Sequence, residues 1–126
     1  MKIYAAIAIG GAFGALLRYW LILISTHFFT RSFPWGTWLV NIIGCFFIGF
    51  LSSLFLSRHG FLLMWRAFFI TGLLGAFTTF STFTYENMLL FMTGKYLMAS
   101  INILSSLIIG LIVCFLGVQL GTCLNS

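Results

Sequence analysis

A run of aromatic and hydroxyl-bearing residues lies inside an apolar stretch of this chain, between Gly75 and Tyr85. Its hydroxyl residues are Thr78, Thr79, Ser81, Thr82 and Thr84. No polar group can be left unpaired in the hydrocarbon core of a membrane. The run must therefore face protein, an ion or a water-filled path, and it is the first candidate for a functional site.

The first part of this run could bind a cation. Gly72 and Gly75 each weaken a helix by about 1 kcal/mol relative to alanine, and the hydroxyls of the threonines that follow compete for backbone carbonyls. We therefore predict that the helix unwinds at mid-membrane, between Gly75 and Thr78. The carbonyls exposed at such a break can coordinate a cation such as Na⁺ without any carboxylate.

The second part of the run could accommodate an anion. Phe80 and Phe83 are three residues apart, so they share a face where the helix resumes. Aromatic rings have positive edges, and Ser81 and Thr82 supply hydroxyl donors between the two rings. Ring edges beside hydroxyls could admit a small anion and exclude larger ones. Packing of both rings in the protein core is the alternative.

Two further polar stripes lie in apolar stretches. Asn41 follows Thr37 by four residues, and Asn102, Ser106 and Gly110 are spaced by four, so each set shares one helix face. The amide of Asn41 could donate to a passing anion. Equally, it could join helices by a hydrogen bond, and close helix packing is the alternative for the second stripe.

Glu86 is the only acidic residue, and Arg18 lies at a similar depth near the same membrane side. Charges inside a membrane pair with one another or face water. A contact between Arg18 and Glu86 is geometrically possible, as a structural ion pair. Alternatively, Arg18 draws anions into a vestibule, and Glu86 holds a neighbouring polar group in place.

The composition places the chain among membrane proteins. Of its 126 residues, 62% are hydrophobic and 6% are charged, whereas a soluble domain carries about 25% charged residues. Four apolar stretches reach the roughly 20 residues that a membrane crossing needs, at about residues 3–24, 35–57, 67–92 and 98–120. We predict an all-α membrane protein with four transmembrane helices, the third broken mid-membrane, forming one transmembrane domain over residues 1–126.

Two function classes are not expected. The net charge is +5, but the basic residues are dispersed and form no run or face, which argues against nucleic-acid binding. The sequence contains no nucleophile–base set and no metal-ligand cluster. We therefore do not expect an enzyme.

The basic residues are divided almost equally between the two sides of the predicted membrane. One side has Lys2, Arg58 and Arg66, and the other has Arg31 and Lys95, with Arg18 nearby inside the first span. Orientation follows the Lys/Arg difference between the sides, which is nearly zero here. We predict dual topology and an antiparallel homodimer with an isologous interface. A single orientation set by a weak bias is the alternative.

Three motifs resemble those of the Fluc/CrcB fluoride channel family. They are GGAFGALLRY at residues 10–19, GTWLVNIIG at residues 36–44 and GLLGAFTTFSTF at residues 72–83. Each motif alone is a weak signal. The three in the right order, over nearly the whole chain, are highly specific.

The resemblance implies a dual-topology homodimer with two antiparallel pores, in a bacterial inner membrane. Fluoride would move passively through them, out of a cell that accumulates it, which lowers its toxicity. The resemblance also implies a central structural Na⁺, held by the carbonyls of Gly75 and Thr78 in both copies.

The resemblance implies roles for individual residues too. Phe80 and Phe83 match the aromatic pair that contacts fluoride edge-on, and Asn41 matches the pore amide. Arg18 matches the basic residue of the vestibule, where we also place Glu86. The positions beside the ion path correspond to Ser81, Thr82, Ser106 and Asn102, the last of which is tyrosine in some relatives.

Two other functions remain open at this stage. A small dual-topology, proton-coupled multidrug exporter shares the size and the four spans. It needs a membrane-embedded carboxylate, and Glu86 is off-centre in its span. A structural membrane subunit with no transport role would conduct no ions.

Overall fold

The protein folds as a bundle of apolar helices in a computed structural model that describes residues 1–30, 32–56 and 62–124. Within these ranges, four helical stretches are long and apolar enough to cross a membrane. They are Lys2–Phe28, Trp35–Phe55, Leu63–Met92 and Tyr96–Cys123. The predicted all-α class with four spanning helices is confirmed.

The first two spans are single helices, α1 (Lys2–Phe28) and α2 (Trp35–Leu56). The chain becomes extended at Phe29, and Pro34 directly precedes α2. Proline suits this position because its missing N–H is one that a helix start leaves unbonded anyway. The Trp35 ring stacks on Phe29 at a centroid distance of 5.0 Å, which closes the connection between the helices.

The third span consists of two halves. The first half runs without interruption through α3 (Leu62–Arg66), a π-helical segment (Ala67–Leu74) and α4 (Gly75–Phe77). Thr78 and Thr79 are both extended, and α5 (Phe80–Met92) follows. We call Thr78–Thr79 the break. The predicted interruption of span three is therefore present.

The break lies later in the sequence than we predicted. Gly75 is helical, with φ −62° and ψ −36°, so the backbone first leaves the helix at Thr78. The helix penalty of a glycine, about 1 kcal/mol, is small enough for packing to override. Hydrogen bonds made by Thr78 and Thr79 determine where the helix ends.

The fourth span, α6, is Tyr96–Cys123. Gly94 lies between α5 and α6 with a φ of 74°, a left-handed conformation that glycine adopts readily because it has no Cβ. The tight reversal at this glycine places the start of α6 beside the end of α5.

Glycines allow two pairs of elements to approach to backbone contact. Gly14 of α1 faces the first half of span three, and a Cβ there would lie 3.0 Å from the backbone nitrogen of Phe77. Gly117 of α6 faces α2, and a Cβ there would lie 2.9 Å from the backbone nitrogen of Phe50. Small residues at such contacts are typical of membrane helices. The scaffold therefore consists of α1 against the first half, and α2 against α6.

A small apolar core joins the two parts of this scaffold. Val40 of α2 packs with Leu74 and Phe77 of the first half, and all three are buried. Most other large apolar side chains are exposed on the isolated chain, as expected for surfaces that face lipid or another subunit. Phe77 of this core directly precedes the break, so the core fixes the position of the break against α2.

The structure bears only partly on the predicted charge balance. Lys2 lines the same surface cavity as Met64 and Trp65, so the start of α1 and the start of span three lie at one end of the bundle. Arg31 and Arg58 lie outside the described residues. The predicted dual topology therefore still depends on the sequence.

Candidate functional site

Two threonines shape the break through their own hydroxyls. The Thr78 hydroxyl donates to the carbonyl of Leu74 at 2.9 Å, and its backbone N–H donates to the same oxygen at 3.0 Å. Thr79 caps α5, because its hydroxyl accepts the backbone N–H of Thr82 at 3.3 Å. One threonine therefore closes the first half, and the next one opens the second.

Asn41 of α2 holds the break by two hydrogen bonds to a single residue. Its Oδ1 accepts the backbone N–H of Thr79 at 2.9 Å, and its Nδ2 donates to the carbonyl of Thr79 at 3.1 Å. Both backbone groups would otherwise be unpaired in an apolar environment. Of the two interpretations of Asn41, the structure shows the joining of helices. One Nδ2 hydrogen is still available for a further acceptor.

The break leaves a set of backbone carbonyls without helical donors. In a continuous α-helix the N–H of Thr79 would donate to the carbonyl of Gly75, but here it donates to Asn41. The last four carbonyls of a helix have no donor within it, and these belong to residues 75–78. Gly75 is exposed on the isolated chain and Thr78 is half-buried.

These carbonyls fit a hard monovalent cation. They are neutral oxygens at a half-helix end, the kind of ligand that binds Na⁺ inside membrane proteins. Within the described part of the chain, no group of His, Cys, Asp or Glu side chains could hold a metal ion. The break therefore offers backbone oxygens as candidate ligands for a cation at this depth.

The aromatic pair and its hydroxyls lie on the first turn of α5. The ring centroids of Phe80 and Phe83 are 6.1 Å apart, so the two rings share a face as the spacing predicted. Phe80 is 80% exposed, and Ser81 is exposed beside it, whereas Thr82 is half-buried. The Ser81 hydroxyl lies 3.5 Å from the Thr79 hydroxyl, and it can take a further partner because a hydroxyl donates once and accepts twice.

Glu86 binds α2 and not Arg18. Its Oε1 accepts the Thr37 hydroxyl at 2.9 Å, and its buried Oε2 has no hydrogen-bond partner. The possible contact with Arg18 is not formed, since Arg18 is half-buried on α1, whose Cα atoms all lie more than 8 Å from those of α5. Glu86 and Thr37 instead line a cavity of about 220 Å³ together with the buried Ser25.

A second group of amides lies between α5 and α6. Asn102 donates from Nδ2 to Oδ1 of Asn87 at 3.0 Å, and Asn87 donates from Nδ2 to the carbonyl of Phe83 at 2.8 Å. Ser106 donates to Oδ1 of Asn102 at 3.5 Å. Asn87 was missed from the sequence. Its position four residues after Phe83 and one after Glu86 was the signal that could have identified it.

Most of the predicted site residues therefore converge around α5. Asn41 contacts its cap, Ser106 and Asn102 reach it through Asn87, and five of the predicted residues lie on α5 itself. These are Phe80, Ser81, Thr82, Phe83 and Glu86. Gly75 and Thr78 lie just before α5, at the end of the first half of the span. Arg18 lies apart on α1, and no hydrogen bond or ion pair in the described structure joins it to the other site residues.

Comparison with known proteins identifies the family. The family described as CrcB-like protein, Camphor Resistance (CrcB), matches residues 5–118. The chain belongs to the CrcB family. The match spans both halves of the third span, together with most of the three other spanning helices.

Relatives of this CrcB-family chain carry a common name. A protein of Campylobacter fetus subsp. fetus is 50% identical over 112 residues, covering 88% of this chain and 87% of the relative. One from Parabacteroides distasonis is 46% identical over 121 residues, covering 96% and 93%. One from Shewanella amazonensis is 46% identical over 115 residues, covering 90% and 91%. Each is named "Fluoride-specific ion channel FluC".

Proposed function

We propose that this chain is a fluoride-selective passive channel of a bacterial inner membrane. The main observation is the first turn of α5, where two aromatic rings and two hydroxyls are held at a helix break by Asn41. The relatives named as fluoride-specific channels match nearly the whole chain, including this turn. Flow out of the cell, down a concentration gradient, would lower fluoride toxicity.

The functional unit that we propose is an antiparallel homodimer with two pores. On the isolated chain, Gly75, Ser81 and the ring of Phe80 are exposed at the middle of a membrane span. Polar groups at this depth need protein or water, and a second copy supplies the protein. The near-equal basic charge of the two sides favours opposite insertion of the two copies. The two-fold axis then lies in the membrane plane.

A structural Na⁺ at the centre of the dimer would be held by the carbonyls of Gly75 and Thr78 from both copies. Support comes from the break, which leaves these carbonyls without helical donors. The cation would supply positive charge that draws the oxygens of two broken helices together. Because each copy has half of the ligands, the break and the dimer depend on each other.

In each proposed pore, the chain replaces the water around fluoride with weak, directional donors. The ring edges of Phe80 and Phe83 face the ion, and the second Nδ2 hydrogen of Asn41 can donate to it. Hydroxyls along the path come from Ser81, Thr82 and Ser106. Arg18 draws anions towards the vestibule by its charge, and Glu86 stays on Thr37, away from the anion.

Ion efflux from liposomes that contain only this protein tests the proposal. Fluoride and chloride are loaded together, and each is followed with its own electrode. Rapid fluoride loss without chloride loss supports the channel. Equal loss of both ions contradicts selectivity, and loss of neither favours a structural subunit.

The exporter alternative is separated by Glu86→Gln. A proton-coupled exporter needs this carboxylate, so the substitution would abolish all of its transport. A channel in which Glu86 only holds Thr37 keeps part of its fluoride flux. Fluoride efflux from the Glu86→Gln protein therefore distinguishes the two functions directly.

A further inference from the structure

Helix α5 carries most of the proposed pore residues but buries only one of its own side chains, Asn87. The lipid around a membrane helix is as apolar as leucine, so apolar packing gives α5 little preference for one orientation. Within a single subunit, directional contacts are therefore the main restraint on the depth and rotation of α5.

Three polar contacts attach α5 to the scaffold. Asn41 and Thr37 of α2 bind Thr79 and Glu86. Asn102 of α6 makes the third contact, described above, to Asn87. Two attachment points on α2 define an axis about which α5 can swing. The third point, on a different helix, removes that freedom.

The third contact is well buried and continues across the bundle. Asn87 is 4% exposed and Asn102 is 1% exposed, so neither side chain lies on an open path. Ser105 donates to the backbone carbonyl of Asn102 at 3.5 Å and accepts Nε1–H of Trp38 at 3.0 Å. A connected series of hydrogen bonds therefore runs from α2 through α6 to the carbonyl of Phe83.

We propose that Asn87 and Asn102 are positioning residues that direct the ring of Phe83 towards the permeating ion. Sliding α5 by one residue moves it 1.5 Å and turns it by about 100°, which would separate the two amides and leave both unpaired in an apolar environment. The pair therefore selects one register of α5. Asn102, assigned to the ion path by resemblance, acts one step away from it.

The inference rests on the proposed function and is tested by fluoride efflux at varied fluoride concentration. In the double variant Asn87→Leu/Asn102→Leu, both amides are replaced by apolar groups of similar size, so that neither is left unpaired. We expect the half-saturating fluoride concentration to rise by about fivefold, the effect of one lost hydrogen bond. The dimer content, measured by size-exclusion chromatography, should remain that of the wild type.

A rescue variant and a control separate positioning from folding. Asn87→Ser/Asn102→Gln shortens one side chain and lengthens the other, so the bonds to Phe83 and between the helices can re-form. Its half-saturating concentration should stay within about twofold of wild type. Thr122→Val removes a 2.7 Å hydrogen bond between Ser53 and Thr122, far along the chain from α5, and should leave the value unchanged.

Each outcome decides the inference. If the two amides have a purely structural role, their loss lowers the number of working dimers and hence the maximal rate, but it does not change the half-saturating fluoride concentration. An unchanged half-saturating concentration in the leucine variant therefore overturns the proposal. If the leucine variant does not assemble, the single variant Asn87→Ser, whose side chain is too short to reach Asn102, is compared with the rescue variant. Equal half-saturating concentrations for these two variants would also overturn the proposal. Wild-type protein without fluoride flux would contradict the proposed function itself.

Discussion

The two halves of the third span are held by different forces. The first half buries Ala67, Gly72, Leu74 and Phe77, and it contacts α1 through glycines at backbone distance. The second half, α5, buries only Asn87 and is held by the side chains of three polar residues. Shape fixes the half that supplies carbonyls, and directional hydrogen bonds fix the half that carries the rings.

This difference suits a site whose first half must be rigid and whose second half, α5, must be held in one orientation. Close packing resists any displacement, because interiors have few voids and a shift produces overlap. A hydrogen bond resists mainly those motions that change its length or angle. The four predictions below test this contrast, in order of decreasing expected effect.

The largest effect is expected for Asn41→Leu, because the two halves meet at its amide. Thr79 is 8% exposed, so its N–H and carbonyl would both be left unpaired. Each such group costs about 1–3 kcal/mol, and we expect a loss of the proposed dimer and of fluoride efflux. Thermal unfolding in detergent and efflux from liposomes measure these losses.

Asn41→Gln provides the matched comparison. It keeps both bonding groups of the amide, one methylene further from the backbone, and should fall between the wild type and Asn41→Leu in stability. Equal stability of Asn41→Leu and the wild type would show that the break does not need this amide.

The second-largest effect is expected for Gly14→Ala, which disturbs the close packing of α1 against the first half of the third span. The new Cβ would lie 2.9 Å from the carbonyl carbon of Leu73 and 3.0 Å from the nitrogen of Phe77, and backbone cannot move aside as a flexible side chain can. Overpacking of this kind costs about 1–3 kcal/mol. The midpoint of denaturant unfolding should fall accordingly.

Gly11→Ala is the control for Gly14→Ala. Its nearest contact, to the carbonyl oxygen of Gly72, would be 3.9 Å, an ordinary van der Waals distance, and it lies on the same helix. We expect Gly11→Ala to unfold at or above the wild-type midpoint, because alanine favours helix by about 1 kcal/mol over glycine. Identical midpoints for the two variants would contradict shape as the force that fixes the first half.

The contrast also explains what the sequence could predict. Hydropathy locates the four spans, because about 20 apolar residues are needed for each crossing and few charges interrupt them. The run of hydroxyls and aromatics marks the interrupted span, because polar groups there need partners. Both signals are local in the sequence, and the structure confirms both.

Contacts between distant residues could not be predicted. The position of the break depends on Asn41, which is 38 residues away from Thr79, and this contact outweighs the local weakness at Gly75. The partner of Glu86 is Thr37, 49 residues away, although Arg18 had the more favourable charge. A geometric choice between several polar partners leaves no periodic pattern in the sequence.

A smaller effect is expected for Thr37→Val, which keeps the shape and removes the donor to Glu86. Because Oε2 already has no hydrogen-bond partner, the carboxylate would lose its contact with α2. A hydrogen bond to a charged group contributes about 1.5–3 kcal/mol when it is well shielded. We expect about half of that or less, because Glu86 is only partly buried. Fluoride efflux should fall several-fold.

Thr26→Val is the control for Thr37→Val. The Thr26 hydroxyl is exposed and donates to the carbonyl of Leu23 within its own helix, so its loss should change neither stability nor efflux. Equal fluoride efflux from both variants would show that the hydrogen bond between Thr37 and Glu86 does not orient α5.

The smallest effect is expected for Ser105→Ala, which removes the acceptor of Trp38 between α2 and α6. Glycine contacts already hold these helices together, so a neutral hydrogen bond should add only about 1 kcal/mol or less. Unfolding should shift slightly, and the half-saturating fluoride concentration should not change, because the amides of Asn102 and Asn87 remain paired. A raised half-saturation would instead show that the orientation of α5 depends on the whole series of hydrogen bonds back to α2. The scaffold and α5 would then be coupled more closely than their packing indicates.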